Sequence, residues 1–149
     1  MARISVSIDI DASPAAVWDV VEPIERHVEW MADAESIRFL DDATRGVGTR
    51  FECITTIGPI RLSDLMVVTE WEPRVSMGVR HEGLVTGSGR FTLDALDDGR
   101  RTRFTWTENL TFPWYLGGRL GERLGGATVM RRIWQANLTR LRRLVERAP

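Results

Sequence analysis

Arg3 to Ile10 alternates strictly between apolar and polar positions, with Ile4, Val6, Ile8 and Ile10 on one side. That spacing predicts a half-buried strand at the head of the chain. Ser13-Pro14 follows as a helix N-cap and a proline at the first helical position, where its missing N–H is not needed. Val17, Trp18, Val20 and Val21 supply the buried stripe of that helix, and Pro23 ends it. Ile24 to Met31 predicts a second short helix anchored by Trp30.

From there to Pro113 the period is that of strands. Six are predicted: Ser36 to Leu40, Thr49 to Ile57, Ile60 to Trp71, Val75 to His81, Leu84 to Leu96, and Arg101 to Leu110. The breaks between them carry turn chemistry at Asp41-Asp42, Gly58-Pro59, Glu72-Pro73-Arg74 and Asp97-Asp98-Gly99. Beyond Val129 the period changes again. Val129, Met130, Ile133, Trp134, Leu138, Leu141, Leu144 and Val145 keep the three-and-four spacing of one helix face. A large antiparallel sheet and one long helix bury their apolar sides against each other, so the helix is expected across the sheet's concave face. A curved sheet closed by one helix can enclose a hollow, and that hollow is the first pointer to function.

At 149 residues, with 43% hydrophobic and 28% charged residues, the chain is expected to form one domain with a substantial core. No internal repeat or low-complexity stretch interrupts it. No run reaches the roughly eighteen apolar residues of a membrane span. The N-terminus enters alternation at once, without the apolar stretch of a signal peptide, which predicts a cytoplasmic protein. The one cysteine, Cys53, excludes an intrachain disulfide and a thiolate metal cluster. All twenty basic residues are arginine. Schiff-base catalysis, pyridoxal phosphate anchoring and the phosphate-loop lysine are therefore closed to this chain. The charges are unevenly spread: residues 1–42 carry ten acids and three arginines, and residues 119–147 carry eight arginines and two glutamates. No basic–aromatic nucleic-acid motif accompanies the basic end, so it reads as the solvated face of an arginine-rich helix, and no nucleic-acid partner is expected.

The element order, with Ser13-Pro14-Ala15-Ala16-Val17-Trp18 after the first strand, resembles the START-like superfamily (SRPBCC) of polyketide cyclases/dehydrases and lipid-transport proteins. Trp30 ending the second helix, the Trp71-Glu72-Pro73 turn, Gly89-Arg90-Phe91-Thr92-Leu93 and Thr102-Arg103-Phe104-Thr105-Trp106 carry the same resemblance, which spans residues 1–149. It implies an α+β helix-grip fold. In that fold a curved seven-stranded antiparallel sheet wraps around a long C-terminal helix, with two short helices after the first strand and an apolar cavity inside. It also implies a small hydrophobic ligand such as a lipid, an isoprenoid or a polyketide. The superfamily has no universal catalytic residue to carry over, so any function has to be argued from the site.

Side chains alternate across a strand, so the apolar parity marks the cavity face. Phe51, Cys53, Thr55 and Ile57 share one face, and Val75, Met77, Val79 and His81 share another. Gly89, Phe91, Leu93 and Ala95 point together in the next strand; Phe104, Trp106, Glu108 and Leu110 do so in the last. The helix offers Met130, Trp134, Asn137, Leu138 and Leu141 in return. For the long strand Ile60 to Trp71 the pattern leaves two parities open: Leu62, Asp64, Met66 and Val68, or Leu65, Val67 and Trp71.

Two polar residues, His81 and Glu108, fall in this apolar register. A buried carboxylate is costly unless paired. Either both sit at strand ends and are satisfied by solvent, or they orient a ligand, or they act as an acid/base pair; Asp64 joins them if its parity is inward. Met66, Met77 and Met130 suit an irregular wall or plain core. Trp18 and Trp30 read as scaffold anchors, and Trp106 and Trp134 as cavity wall. Cys53 reads as an inert buried thiol. Trp114 to Gly126 repeats glycine every fourth residue, either as a gate over the cavity or as a packed bend. His27 and His81 lack metal-type spacing, Gly87-Ser88-Gly89 leads into a strand and not a helix, and no nucleophile elbow is present. No metal or cofactor is expected. The ranked readings are a carrier of a small hydrophobic molecule, an aromatase/cyclase or dehydratase using His81 and Glu108, and a co-chaperone-like interaction module.

Overall fold

The computed structural model describes residues 2–112 and 126–148. Strand β1 (Ala2–Ile10) leads into α1 (Pro14–Val21) and a 3₁₀ helix (Ile24–Glu29). Six strands follow: β2 (Ala34–Phe39), β3 (Arg50–Ile57), β4 (Ile60–Glu72), β5 (Ser76–Glu82), β6 (Thr86–Leu96) and β7 (Arg101–Thr111). The C-terminal helix α2 spans Gly126–Arg147. The strands form one curved antiparallel sheet in the order β1-β7-β6-β5-β4-β3-β2. After β1 the chain crosses to the far edge through α1 and the 3₁₀ helix, then meanders back until β7 pairs with β1. The architecture is α+β, with the element order that the hydrophobic pattern predicts.

Local chemistry sets the boundaries. The Ser13 hydroxyl accepts from the Ala16 N–H and caps α1, with Pro14 at its first position. The second helix is tighter and shorter than expected. It is a 3₁₀ turn, which brings every third residue to one side, so Ile24, His27 and Trp30 are all buried. Val75 was expected in a strand but closes the Glu72–Val75 turn, where Arg74 adopts a left-handed φ of 69°, and it is 43% exposed. Leu84 likewise belongs to the β5–β6 turn, and Ala95 faces solvent near the end of β6. Val129, placed by its spacing on the apolar stripe of α2, is 42% exposed, so the stripe begins with Met130.

The two parities left open for the long strand are both realised. In β4 the pairing with β5 slips between Val68 and Glu70, so Thr69 is an extra residue. Such a bulge reverses which side chains face inward. Before it, Leu62, Asp64 and Met66 face the hollow and Val68 is buried. After it, Trp71 turns inward beside Met77 and meets Trp18 edge-on at 5.4 Å.

α2 lies against β1. The Gln135 amide donates to the Ser7 carbonyl at 3.1 Å, and the Asp11 N–H donates to Glu146 at 2.9 Å. Leu138 and Leu141 are fully buried. Trp30, 1% exposed, sits at the centre of the core with Phe91, Phe104 and Trp106 around its ring. Asn137, also fully buried, ties α2 to the segment after the 3₁₀ helix. Its Oδ1 accepts from the Ala32 N–H at 3.0 Å, and its Nδ2 donates to Asp33 at 2.7 Å. Replacing Asn137 by Ala strands both partners, and the expected loss is about 1–3 kcal/mol of unfolding free energy in urea melts. Gln135→Ala, which removes an exposed bond from the same helix, is expected to cost under about 0.5 kcal/mol, and equal losses for the two variants would refute this assignment.

Candidate functional site

Between the concave face of the sheet, the 3₁₀ helix and the N-terminal half of α2 lies a hollow of about 140 Å³. β3 contributes Phe51, Cys53, Thr55 and Ile57 to its wall, β5 contributes Met77, Val79 and His81, and β6 contributes Gly89 and Phe91. Trp106, Glu108 and Leu110 of β7 and Met130 and Trp134 of α2 close the far side. The rings of Trp106 and Trp134 stack with centroids 4.7 Å apart. Besides Val75 and Ala95, five residues assigned to the cavity face by pattern lie elsewhere, and Leu93 and Leu141 are two of them, packed in the core. Phe104 lies in the core under Trp30, Leu138 packs in the core, and Asn137 is spent on Ala32 and Asp33. Parity told which face each occupied, but not how far along the element the hollow extends.

His81 and Glu108 are not at a solvated rim; they are 7% and 6% exposed. His81 Nε2 lies 2.8 Å from Glu108 Oε2, and His81 Nδ1 lies 2.8 Å from Asp64 Oδ2. Trp106 Nε1 donates to the other Glu108 oxygen at 2.9 Å. An ionised carboxylate only accepts, so both imidazole nitrogens carry hydrogens and His81 is an imidazolium. Burial opposes that charge, but hydrogen bonds and charge from Asp64 and Glu108 outweigh it and raise its pKa to about 10. No ring lone pair is left for a metal, and among the described residues no cluster of three or more ligands forms a metal site.

The pairing of His81 with Glu108 depends on a glycine. The two residues sit on β5 and β7, with β6 between them, about 9–10 Å apart by strand spacing. Gly89 of β6 is the direct neighbour of both Val79 and Glu108. A Cβ built on Gly89 would fall 2.5–2.6 Å from the Glu108 carboxylate, which occupies that empty side-chain position on its way to His81. Gly89 is thus a positioning residue.

A second histidine also reaches the wall. His27, 5% exposed, donates from Nε2 to the Val21 carbonyl at 2.7 Å, which leaves Nδ1 with its lone pair. Burial, only partly offset by that hydrogen bond, lowers its pKa to about 4, so it is neutral. The two histidines act on stability in opposite directions. The contribution of His81 is complete below its unfolded pKa of 6.5 and is lost as pH rises to about 10. His27 stays neutral while the unfolded chain takes up a proton, so stability falls as pH drops from 6.5 to about 4.

Cys53 shares the wall, opposite Asp64 in the β3–β4 register. Burial pushes its thiol up to about 11, and its near contacts are the Ile54 carbonyl and the Thr55 hydroxyl, so it has no activating base among the described residues. Sequence reasoning missed His27 and the role of Gly89. The first was readable as the middle of the three-residue period Ile24, His27, Trp30. The second shows only once the strands are in register. Residues 114–125 of the glycine-spaced segment lie outside the described residues.

The sequence model of the family described as polyketide cyclase / dehydrase and lipid transport matches residues 1–146. Among solved structures, the Zhui aromatase/cyclase of a Streptomyces species superposes with a TM-score of 0.78 at 16% identity, covering 98% of this chain and 94% of that one. A Thermus thermophilus protein superposes with a TM-score of 0.77 at 21% identity, covering 97% of both chains. A conserved Geobacillus kaustophilus protein gives 0.77 at 16% identity, covering 97% and 95%. These likenesses establish the fold. No curated protein matches the sequence.

With only two histidines in the chain, the imidazole NMR spectrum tests the site directly. One signal is expected to titrate near 10 and the other near 4, with no change around 6.5. In Gly89→Ala the His27 signal should stay where it is, while the His81 titration moves down toward its ordinary range as Glu108 is displaced. A His81 signal titrating near 6.5 in the native protein would contradict the paired arrangement.

Proposed function

We propose, for a chain that belongs to the polyketide cyclase/dehydrase and lipid-transport family, that it binds one small hydrophobic molecule in the hollow between sheet and C-terminal helix. The observation that carries this reading is an apolar, aromatic-lined cavity with the Asp64–His81–Glu108 group set into one wall. Its volume of about 140 Å³ favours a particular size of ligand. An apolar protein cavity of about 150 Å³ takes up benzene. A single-ring compound therefore suits the space better than an extended lipid tail or an isoprenoid chain. Six buried ring carbons at about 0.8 kcal/mol each are worth roughly 5 kcal/mol, so affinities around the millimolar to sub-millimolar range are expected before polar contacts add to them. The Asp64–His81–Glu108 group orients the ligand's polar atom.

Acid/base chemistry on the bound molecule is the second reading. What favours it is three ionisable groups drawn together inside an apolar wall, an arrangement that clusters at catalytic sites. Glu108→Gln separates the two. A neutral ligand still binds it under either reading, whereas turnover of a cyclisation or dehydration substrate is lost only if Glu108 moves protons.

Native mass spectrometry of protein incubated with a single-ring hydrophobic compound in excess is expected to show a bound molecule that is released on denaturation. In Val79→Phe, which fills the hollow from β5, that adduct should vanish while the thermal transition remains. An adduct that survives in the filled variant, or a native protein that takes up no single-ring hydrophobic compound, would count against the cavity as a binding site.

A further inference from the structure

The wall of the hollow has a one-sided hydrogen-bonding inventory. Each strong donor near the charged group is already used: both His81 nitrogens point at carboxylates, and the Trp106 indole points at Glu108. Acceptors remain. Each carboxylate oxygen can accept more than one bond, and Asp64 Oδ1 is buried with no partner among the described residues. Across the hollow, the Val21 carbonyl holds the Nε2 hydrogen of His27, so the Nδ1 lone pair is a second acceptor. Formal charge leans the same way. Asp33, Asp64 and Glu108 line the cavity, against the single imidazolium of His81. Arg90 also borders it, but its guanidinium is on the outside, bonded to Glu70 at 2.7 Å. Ser63 is likewise turned outward onto Glu52. The side-chain donors left on the described wall are the Trp134 indole N–H, the Thr55 hydroxyl and the Cys53 thiol, all uncharged.

We infer that the cavity selects neutral hydroxylated single-ring molecules, phenols in chemical class, whose O–H donates to the Asp64–Glu108 wall, and that it excludes carboxylates of the same size. The inference rests on the binding reading above and goes beyond it by naming the ligand's polar group and the sign of its charge. A fatty or aromatic acid would bring an anion into an apolar space already holding three carboxylates, with no arginine among the described residues turned inward to meet it. An ammonium would gain from the carboxylates but would lose its hydration, and His81 already offsets part of their charge. A phenol gives up one water hydrogen bond and regains one on the Asp64–Glu108 wall, where each carboxylate oxygen can accept more than one bond.

The test is an NMR titration of the full chain at pH 7 with toluene, phenol, benzoate and benzylammonium, four one-ring probes that differ in polar group. The assigned Trp106 indole N–H serves as reporter, since it bonds to Glu108. Phenol is expected to bind at least as tightly as toluene. A hollow without a spare acceptor would prefer toluene by about tenfold or more, because an unpaired buried hydroxyl is costly. Benzoate is expected to bind at least about tenfold more weakly than phenol. Asp64→Asn removes one wall charge, and in that variant the gap between phenol and benzoate should narrow; if it does not fold, the native series decides alone. Toluene or benzoate preferred over phenol, or benzylammonium binding tightest, overturns the inference while leaving the binding reading standing. No binding by any of the four overturns both.

Discussion

A seven-stranded sheet is about 29 Å across its strands, and a single helix is about 10 Å wide. One helix cannot cover such a face. In this protein α2 packs against β1 at one edge, and the 3₁₀ helix packs against β2 at the other. Among the described residues, the middle strands are left with apolar side chains facing inward and too little to touch. A flat sheet would expose them to water; a curved one closes over the gap and keeps it small. The hollow is the remainder of that geometric mismatch, and its position under β3 to β7 follows from where the two helical covers are anchored.

Placing charge in such a wall is costly, and the arrangement here shows how the cost is limited. A lone buried carboxylate would lose its hydration with nothing in exchange. Here an imidazolium bridges two carboxylates, an indole N–H takes a third oxygen, and one oxygen stays unmatched among the described residues. The result is a group whose imidazolium stays charged through neutral pH and which has acceptors but few donors to offer an incoming molecule. The exposed ion pairs elsewhere on the sheet, such as Arg103 with Asp9, are of the kind that contributes little to stability.

Much of this was legible in the residues. Strict alternation in Arg3 to Ile10 and the Ser13-Pro14 cap located β1 and α1, and the inward parity of β3, β5, β6 and β7 placed His81 and Glu108 inside. The failures have separate physical causes. The parity of β4 had two answers because a bulge at Thr69 makes each correct on its own half. Asn137 carried the right face but the wrong duty, since a buried amide goes to whichever backbone groups lie closest, and periodicity along one helix does not report them. The partnership of His81 with Glu108 crosses an intervening strand, so no spacing along the chain encodes it. It needs the register of three strands at once, together with the missing side chain of Gly89.

The shared space between Gly89 and Glu108 has a bearing on descent. Any side chain at the first position evicts the acid at the second, so the two cannot drift independently. A lineage that loses the glycine must give up the buried acid or move it, and one that loses the acid frees the glycine to become almost anything. Among distant relatives with this sheet, the pair should therefore be inherited or discarded together. Reading those two columns would sort chains that keep an ionic interior from those that have turned to a purely oily one.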